Sequence, residues 1–363
     1  MSYQRSNISR MRGYTWGEQP LDRDTIKLNT NENPYPPSPR VQEALANLRA
    51  NVLRTYPQPT ADALRDRLAA LHGVSRDHIL VTHGGDEGLR LAMTTFVDPG
   101  AAFAMAEPSY SLYQVLAEVQ DARTLSLPLD DAWRLPANAA AQLNAADARL
   151  TCIVNPHAPS GVLTSADELV TLARALNGVL LVDEAYVDFV APDRGYDLVG
   201  RLAGSAELPN LLLLRTFSKG YSLAGLRLGY LIGHPDLIEP MLTKTRDSYN
   251  VDAISQALGE AAAGDQDHAA RSWRKVRAER QALRHALDQL GLTTASSEAN
   301  FLLAQVPAGA RRDARQLYGY LKERRILVRY FDTPRLHDRL RISIGTEAQN
   351  RALIATLTEA LHD

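Results

Sequence analysis

Residues 211–229 read LLLLRTFSKGYSLAGLRLG, and this stretch predicts a buried strand with a chemical site at its end. Four successive leucines, with no polar residue between them, are typical of a strand buried on both faces of a sheet. The strand is followed by Ser218 and Lys219 and then by a glycine-rich segment. Lysine is rarely buried unless it is paired or used in chemistry, so Lys219 at this position needs an explanation.

Two interpretations of Lys219 are open from this stretch alone. A Schiff base with an aldehyde cofactor would use the amine and remove the cost of a lone buried ammonium. Ser218 and Arg227 would then anchor a cofactor phosphate, the serine by its hydroxyl and the arginine by a charge-assisted fork. Alternatively, Lys219 is a strand-end side chain that reaches water, and Arg227 lies on a solvated loop.

The size and composition of the chain exclude several classes of protein. The 363 residues are enough for a large core and predict two domains rather than one. The formal net charge of −2 gives no electrostatic reason to expect a nucleic-acid or membrane partner. A single cysteine, Cys152, excludes an intramolecular disulfide and indicates a reducing compartment. Because neither a signal peptide nor a membrane-spanning apolar stretch is evident, we expect a cytoplasmic protein.

Apolar runs alternate with helical periodicity along most of the chain, which predicts an α/β fold. Strands are expected at 79–82, 103–106, near 125, and at 150–154, 179–182, 211–214 and 228–232. Helices are expected at 39–48, 60–72, 86–97, from 109 onward, and at 165–176. This alternation predicts a mostly parallel sheet with helices on both faces, and ligands of such sheets bind beyond the carboxyl ends of the strands.

We expect three parts in the chain. Residues 1–38 form an N-terminal arm, which is interrupted by prolines and has no core, so it must pack on another surface such as a second subunit. Residues 39–245 form a large domain and residues 246–363 a smaller α/β domain. The smaller domain begins with a helical zone to about 290, followed by strands at 301–306, 326–331 and 339–344 and helices at about 312–324 and 347–361.

Polar side chains follow two of the predicted strands. Asp183 would hold its carboxylate against a pyridine nitrogen and keep that nitrogen protonated, or it would cap a turn. Tyr186 and Asn155 suit hydrogen bonds to a ring oxygen of the same group.

A helix start and an aromatic residue supply further candidates. Gly85 and Asp86 offer backbone N–H groups and the positive end of a helix dipole to a phosphate, or they form an ordinary turn. Tyr110 would stack on a cofactor ring, or it would be an ordinary core tyrosine.

Together these residues resemble the fold-type-I, class I/II pyridoxal-phosphate aminotransferases and, among them, the histidinol-phosphate aminotransferase family. The segment 218–229 resembles the lysine-attachment signature of that class position by position. The resemblance covers nearly the whole chain. It includes the motifs LNTNENPY at 28–35, PSYSLY at 108–113, NPHAPSG at 155–161, DEAYVDF at 183–189 and LRISIG at 340–345.

The resemblance implies pyridoxal 5'-phosphate as the cofactor, bound by the large domain. Lys219 is then the covalent anchor and the proton carrier, and Asp183, Tyr186 and Asn155 hold the ring. Tyr110 stacks on that ring. The residues implied for the cofactor phosphate are Gly85, Asp86, Ser218 and Arg227 and, from the other subunit of a homodimer with shared active sites, Tyr56. No metal ligand is expected.

Four substrate-binding residues are implied in the same way: Tyr14 from the other subunit, Asn155, Arg329 and Arg341. On spacing alone, Arg329 and Arg341 either point into a cleft between domains or solubilise a strand edge. Two guanidinium groups suit a phosphate dianion. His157 and Ala158 depart from the usual family pattern Asn-Pro-Asn-Asn-Pro and leave the identity of the substrate open.

The reaction implied by the resemblance transfers an amino group from L-histidinol phosphate to 2-oxoglutarate in histidine biosynthesis, which gives imidazole-acetol phosphate and glutamate. One alternative is an aromatic amino acid aminotransferase, in which Arg341 binds a carboxylate. Another is a lyase similar to the threonine-phosphate decarboxylases. A cofactor-binding regulator without turnover is disfavoured, because the chain has no added DNA-binding module and no basic patch.

Overall fold

The computed structural model describes residues 3–20, 22, 24–203 and 208–362, and its central element is a mixed β-sheet. In this part of the chain, the strands of the central sheet are β2 (Ile79–Thr82), β3 (Ala102–Glu107), β4 (Arg123–Pro128), β5 (Ala148–Val154), β6 (Val179–Asp183), β7 (Leu211–Thr216) and β8 (Gly229–Gly233). Their order across the sheet is β2-β8-β7-β6-β5-β3-β4. Strand β8 runs antiparallel to both of its neighbours and the other pairings are parallel, which confirms the predicted mostly parallel sheet.

The leucine run explains how β7 occupies an interior position in this sheet. Successive side chains of a strand point to opposite faces. Leu212 and Leu214 pack into the core on one face, and Leu211 and Leu213 pack into the core on the other. All four are at most 2 % exposed, so both faces of the strand are covered, as an uninterrupted apolar run predicts.

Helices cover both faces of the sheet and make up the rest of the framework. Their bounds are α1 (Ser6–Arg10), α2 (Pro39–Asn47), α3 (Asp62–His72), α4 (Gly84–Phe96), α5 (Leu112–Gln120), α6 (Ala139–Ala145), α7 (Ala166–Ala175), α8 (Leu198–Ala203), α9 (Pro235–Pro240), α10 (Ala253–Ala263), α11 (Gln266–Gln289), α12 (Ala314–Glu323) and α13 (Glu347–His362). Sequence signals mark two of the starts. Ser38 caps α2 ahead of Pro39, and Ser165 forms a capping box with Glu168 at α7.

A second, smaller sheet forms near the carboxyl end of the chain. Its strands are β9 (Thr293–Thr294), β10 (Phe301–Gln305), β12 (Arg329–Tyr330) and β13 (Arg339–Ser343), in the order β12-β13-β10-β9. Its described pairings are antiparallel. Helices α11 and α12 pack against it, and α13 packs against these two helices. The predicted division at 38 and 245 stays a prediction.

Two short elements differ from the expectations. The predicted strand 326–331 is divided, because β11 (Ile326–Leu327) pairs in parallel with β1 (Ile26–Lys27), whereas β12 pairs with β13. The arm also contains α1, which packs on α5 of the same chain. The arm therefore finds its packing surface within its own chain. In the described part of the chain, no helix is both long and apolar enough to span a membrane.

Candidate active site

The carboxyl ends of β5, β6 and β7 and the start of α4 border a cleft of about 540 Å³. The smaller sheet and the N-terminal arm form its other walls. Most of the residues predicted from the sequence line this cleft: Tyr14, Gly85, Asp86, Tyr110, Asp183, Tyr186, Ser218, Lys219, Arg227, Arg329 and Arg341. These side chains therefore meet at the carboxyl ends of parallel strands, where ligands of such sheets bind.

Lys219 extends its amine into the cleft, where the amine donates a hydrogen bond to the Thr30 carbonyl oxygen at 2.9 Å. Burial lowers the pKa of Lys219 to about 8, although the nearby Glu32 carboxylate acts in the opposite direction. The cationic groups of Arg341 and Arg227 lower this pKa further. A buried lysine with a depressed pKa is typical of an amine used in chemistry rather than of a solubilising charge.

Asp183 ends β6 and is held by two hydrogen bonds. Its Oδ2 accepts the hydroxyl hydrogen of Tyr113 at 2.7 Å, and its Oδ1 accepts from the Ala185 backbone N–H at 3.1 Å. Burial raises the pKa of Asp183 to about 6, although both hydrogen bonds lower it. Tyr113 belongs to a motif recognised in the sequence, but its partner could be found only from the fold.

The N-terminus of α4, Ser218 and Arg227 meet at one end of the cleft. Arg227 Nη1 lies 3.4 Å from Ser218 Oγ, and Arg227 Nη2 donates to Asp86 Oδ2 at 3.2 Å. Gly84 opens the helix with a φ of +76°, and a Cβ at this position would approach Arg227 Nη2 to 2.8 Å. Glycine is therefore required where the arginine crosses the helix start.

Two arginines face the cleft from the smaller sheet. Arg329 on β12 is paired directly opposite Arg341 on β13, so their side chains leave the same face of the sheet. Arg341 Nη2 donates to the Asn29 carbonyl oxygen at 2.9 Å, whereas its buried Nε has no hydrogen-bond partner among the described residues. Such a buried, incompletely bonded guanidinium is suited to an anionic ligand.

The tripeptide Asn29-Thr30-Asn31, which we call the 29–31 strap, contacts three of these side chains. The carbonyl oxygens of Asn29 and Thr30 accept from Arg341 and Lys219, and the side-chain amide of Asn31 donates to Tyr186 Oη at 3.1 Å. The sequence motif at 28–35 contains the strap but predicts no role for it. The direction of a backbone carbonyl depends on tertiary structure, so the motif does not show which groups these carbonyl oxygens meet.

Tyr14 lies in the cleft of its own chain, whereas the resemblance implied the cleft of a neighbouring subunit. Its ring is 5.9 Å from that of Tyr110, edge to face. The arm is held nearby because Asn7 donates from its amide to the Glu118 and Val119 carbonyl oxygens at the end of α5. The structure thus places Tyr14 at the cleft of its own chain, and mixed dimers test the expectation that it serves the neighbouring subunit.

Two predicted residues do not line the cleft. The side-chain amide of Asn155 is fully buried and exchanges two hydrogen bonds with the Thr164 backbone, at 3.0 and 2.8 Å. Tyr56 is 80 % exposed and stacks on Tyr249, with ring centroids 4.5 Å apart. The roles of Asn155 in cofactor and substrate binding and of Tyr56 in phosphate binding stay predictions.

His157, which departs from the family pattern, is buried behind the cleft, whereas Ala158 lines it. His157 Nε2 is 2.8 Å from the Pro108 carbonyl oxygen, and Nδ1 is 2.7 Å from Ser160 Oγ. Because a carbonyl oxygen can only accept, Nε2 carries the hydrogen and Nδ1 accepts from the serine. Burial lowers the pKa of His157 to about 4, so the ring is neutral at neutral pH.

Comparison with known proteins agrees with this geometry. The family model described as aminotransferase class I and II matches residues 23–357. The chain is 42% identical to histidinol-phosphate aminotransferase 1 of Trichormus variabilis, over 99% of each chain. It is 41% identical to histidinol-phosphate aminotransferase of Citrifermentans bemidjiense, over 98% of this chain and 97% of the relative.

Solved structures include a similar fold. The crystal structure of histidinol-phosphate aminotransferase from Sinorhizobium meliloti in complex with pyridoxal-5'-phosphate superposes with a TM-score of 0.90 at 26% identity, over 99% of this chain and 98% of that one. The fold class expected from the sequence is confirmed. The chain belongs to the class I and II aminotransferases and, within them, to the histidinol-phosphate aminotransferase family.

Proposed function

We propose that this protein is a pyridoxal 5'-phosphate-dependent aminotransferase that transfers the amino group of L-histidinol phosphate to 2-oxoglutarate, forming imidazole-acetol phosphate and L-glutamate. The observation that carries the proposal is that one cleft contains a lysine of depressed pKa, a buried carboxylate and two facing arginines. The names of the full-length relatives support the choice of substrate.

The residues present in the cleft fit the proposed cofactor at three separate points. The N-terminus of α4, Ser218 and Arg227 would hold its phosphate, because helix N–H groups, a hydroxyl and a guanidinium all favour an anion. Asp183 would hold the ring nitrogen, and Lys219 would hold the aldehyde carbon. The Nε of Arg341, which has no hydrogen-bond partner within the described part of the chain, would remain for the substrate.

Asp183 provides the charge that the chemistry needs. When bound, pyridoxal phosphate accepts the electron pair of a broken bond at the substrate α-carbon. Above pH 6 the Asp183 side chain is a carboxylate, and it stabilises a proton on the ring nitrogen. Tyr113 and the Ala185 N–H keep the carboxylate in place by occupying one oxygen each.

Lys219 is the proposed proton carrier. Its pKa of about 8 means that a neutral amine is present in a useful fraction near neutral pH, and a neutral amine can accept the α-carbon proton. The Thr30 carbonyl oxygen, which accepts from the amine at 2.9 Å, gives the amine a defined direction. In this proposal Tyr186 would donate its hydroxyl hydrogen to the ring oxygen of the cofactor, and Tyr110 would cover the ring.

Arg329 and Arg341 are the proposed anion site of the substrate. The phosphate of histidinol phosphate and a carboxylate of 2-oxoglutarate would bind there in turn, because the two half-reactions share one cleft. Tyr14 would complete this site, since it lies close enough to Arg341 to affect the pKa of that group.

We also propose a cytoplasmic homodimer with domains divided near 38 and 245. Tyr56 supports the dimer, because an 80 % exposed tyrosine stacked on a second exposed tyrosine, Tyr249, is suited to contact another subunit. In that dimer Tyr56 would approach the cofactor phosphate of the neighbouring chain.

The proposed substrate is tested by comparing kcat/KM for histidinol phosphate, histidinol, phenylalanine and histidine, each with 2-oxoglutarate as acceptor. Charged hydrogen bonds are worth about 1.5–3 kcal/mol, so histidinol, which lacks the phosphate, should react roughly ten- to a hundredfold less well. Phenylalanine as the preferred donor would identify an aromatic amino acid aminotransferase. Release of carbon dioxide without any need for an oxo acid would identify a decarboxylase.

A further inference from the structure

Asn31 is buried at the point where the 29–31 strap meets both sheets, and each of its polar groups has a partner. Its backbone N–H donates to Ser343 Oγ at 2.9 Å, and its carbonyl oxygen accepts from the Asn300 amide at 2.9 Å. Its Oδ1 accepts from Ser343 Oγ at 3.0 Å, and its Nδ2 donates to Tyr186 Oη at 3.1 Å. Asn31 is only 2 % exposed.

These bonds determine which way the Asn31 amide faces. Because the Asn31 backbone N–H donates to Ser343 Oγ, the hydroxyl hydrogen of Ser343 remains to be donated, and Oδ1 of Asn31 is its acceptor. The opposite orientation of the amide would leave this buried hydrogen without a partner. Nδ2 must therefore point toward Tyr186.

The orientation of the amide in turn sets the direction of the Tyr186 hydroxyl. Since the phenol oxygen accepts a hydrogen bond from Asn31, its own hydrogen remains free for a group in the cleft. Burial raises the pKa of Tyr186 above its ordinary value, so the hydroxyl keeps its hydrogen, although the Arg341 guanidinium and the Asn31 amide act in the opposite direction.

We propose that Asn31 is a positioning residue, which acts through Tyr186 by supplying a donor to its oxygen and so directing the phenol hydrogen into the cleft. The inference rests on the proposed function, in which that hydrogen is donated to the ring oxygen of the cofactor. Asn31 also connects the strand that carries Arg341 to the segment that follows β6, because its partners are Ser343 on β13 and Tyr186.

The residue type at this position is restricted by the backbone as well. Asn31 has a φ of +57°, in the left-handed region that asparagine, aspartate and glycine adopt most readily. Asn31→Gly removes the amide and keeps this conformation accessible. Asn31→Asp keeps the shape but replaces the donor by an acceptor, so that the phenol hydrogen turns away from the cleft toward the new carboxylate.

The test measures the pH at which the visible absorption of the cofactor-loaded protein changes, in the wild type, Asn31→Gly, Asn31→Asp, Tyr186→Phe and Asn31→Gly/Tyr186→Phe. A hydrogen bond to an ionised ring oxygen lowers this pH, so each single variant should raise it. A typical hydrogen bond predicts a rise of about 0.4–1 pH unit for Asn31→Gly. Adding Asn31→Gly to Tyr186→Phe should produce no further shift, because Asn31 acts through the tyrosine.

Several results would overturn the inference. A spectral transition whose pH moves in Tyr186→Phe but in neither Asn31 variant would overturn the inference and leave the proposed function standing. A full additional shift when Asn31→Gly is combined with Tyr186→Phe would do the same. The Asn31→Asp variant keeps the test decisive if Asn31→Gly does not fold. A wild-type protein that gives no visible band with pyridoxal phosphate would overturn the proposed function together with the inference.

Discussion

The hydroxyl of Tyr113 donates a hydrogen bond to Oδ2 of Asp183 at 2.7 Å, and Tyr113 itself is buried outside the cleft lining. One oxygen of the proposed nitrogen-binding carboxylate is therefore held by the core rather than by a ligand. Because the pKa of Asp183 is raised to about 6, the strength of this bond depends on pH in an accessible range.

Tyr113→Phe should destabilise the protein without cofactor more at pH 8 than at pH 5. A hydrogen bond to a carboxylate is worth about 1.5–3 kcal/mol, whereas one to a protonated acid is worth nearer 1 kcal/mol. Removing the donor raises the folded-state pKa of Asp183 further, so the variant loses additional stability as pH rises through about 6. Urea unfolding at both pH values measures the loss of stability, with Tyr3→Phe at a fully exposed site as control. Equal losses at the two pH values would contradict the prediction.

Gly220→Ala should distort the segment that carries Lys219. A Cβ on Gly220 would overlap the Asp188 carboxylate and come within 2.7 Å of its Cβ, so the backbone would have to move. Overpacking of this kind costs about 1–3 kcal/mol of stability. Gly225→Ala is the matched control in the same segment, because a Cβ there meets nothing within 4 Å. The unfolding free energy and the cofactor affinity are measured for both variants and for the wild type. Equal losses in Gly220→Ala and Gly225→Ala would refute the steric explanation.

His157→Asn should make the protein less sensitive to acid. The pKa of His157 is about 4 in the folded state and about 6.5 when unfolded, so the wild type loses stability as pH falls through this interval. The contribution of His157 is about 1 kcal/mol per pH unit. Burial lowers the pKa of His72 to about 3, so this residue also makes the protein less stable in acid. Because His72 is present in both proteins, its contribution cancels in the comparison.

The measurement for His157 is the difference in unfolding free energy between pH 7 and pH 5. This difference should be smaller in His157→Asn than in the wild type by about 1–2 kcal/mol. The same substitution at His285, an exposed side chain on α11, is the control. If the unfolding free energies of both variants depend on pH in the same way, the buried neutral His157 is not the source of the acid sensitivity.

Tyr14 should serve the active site of its own chain. Tyr14→Phe removes one hydroxyl near Arg341, and a neutral hydrogen bond predicts a loss of about two- to tenfold in kcat/KM for histidinol phosphate. In a mixed dimer of Lys219→Ala and Tyr14→Phe chains, each site then contains one defect. Activity should not exceed that of the Tyr14→Phe sites. Recovery of wild-type sites after confirmed subunit exchange would instead show that the arm reaches the neighbouring chain.

Local sequence patterns were sufficient for the sheet and for the strand ends that border the cleft. The leucines of β7 predicted a strand covered on both faces, and Lys219 and Asp183 lie in one cleft near the ends of their strands. These signals depend on residue type and spacing within a short window.

Contacts between distant segments could not be read in this way. The bonds of the 29–31 strap, the placement of Tyr14 and the division of 326–331 between β1 and β13 each depend on which segments meet in space. Asn155 shows the same limit, because no local pattern predicts that its amide bonds the Thr164 backbone. Its role toward a ligand stays a prediction.

Lys219 is the centre of this account, and chemical fixation of the cofactor tests it most directly. The purified protein with pyridoxal phosphate should absorb visible light, and borohydride reduction should remove that band and attach the cofactor irreversibly to Lys219, as identified by peptide mass spectrometry. Lys219→Ala should show neither the adduct nor transamination, because it removes the covalent anchor and the proton carrier together. An adduct on a different lysine, or transamination that persists in Lys219→Ala, would contradict the account.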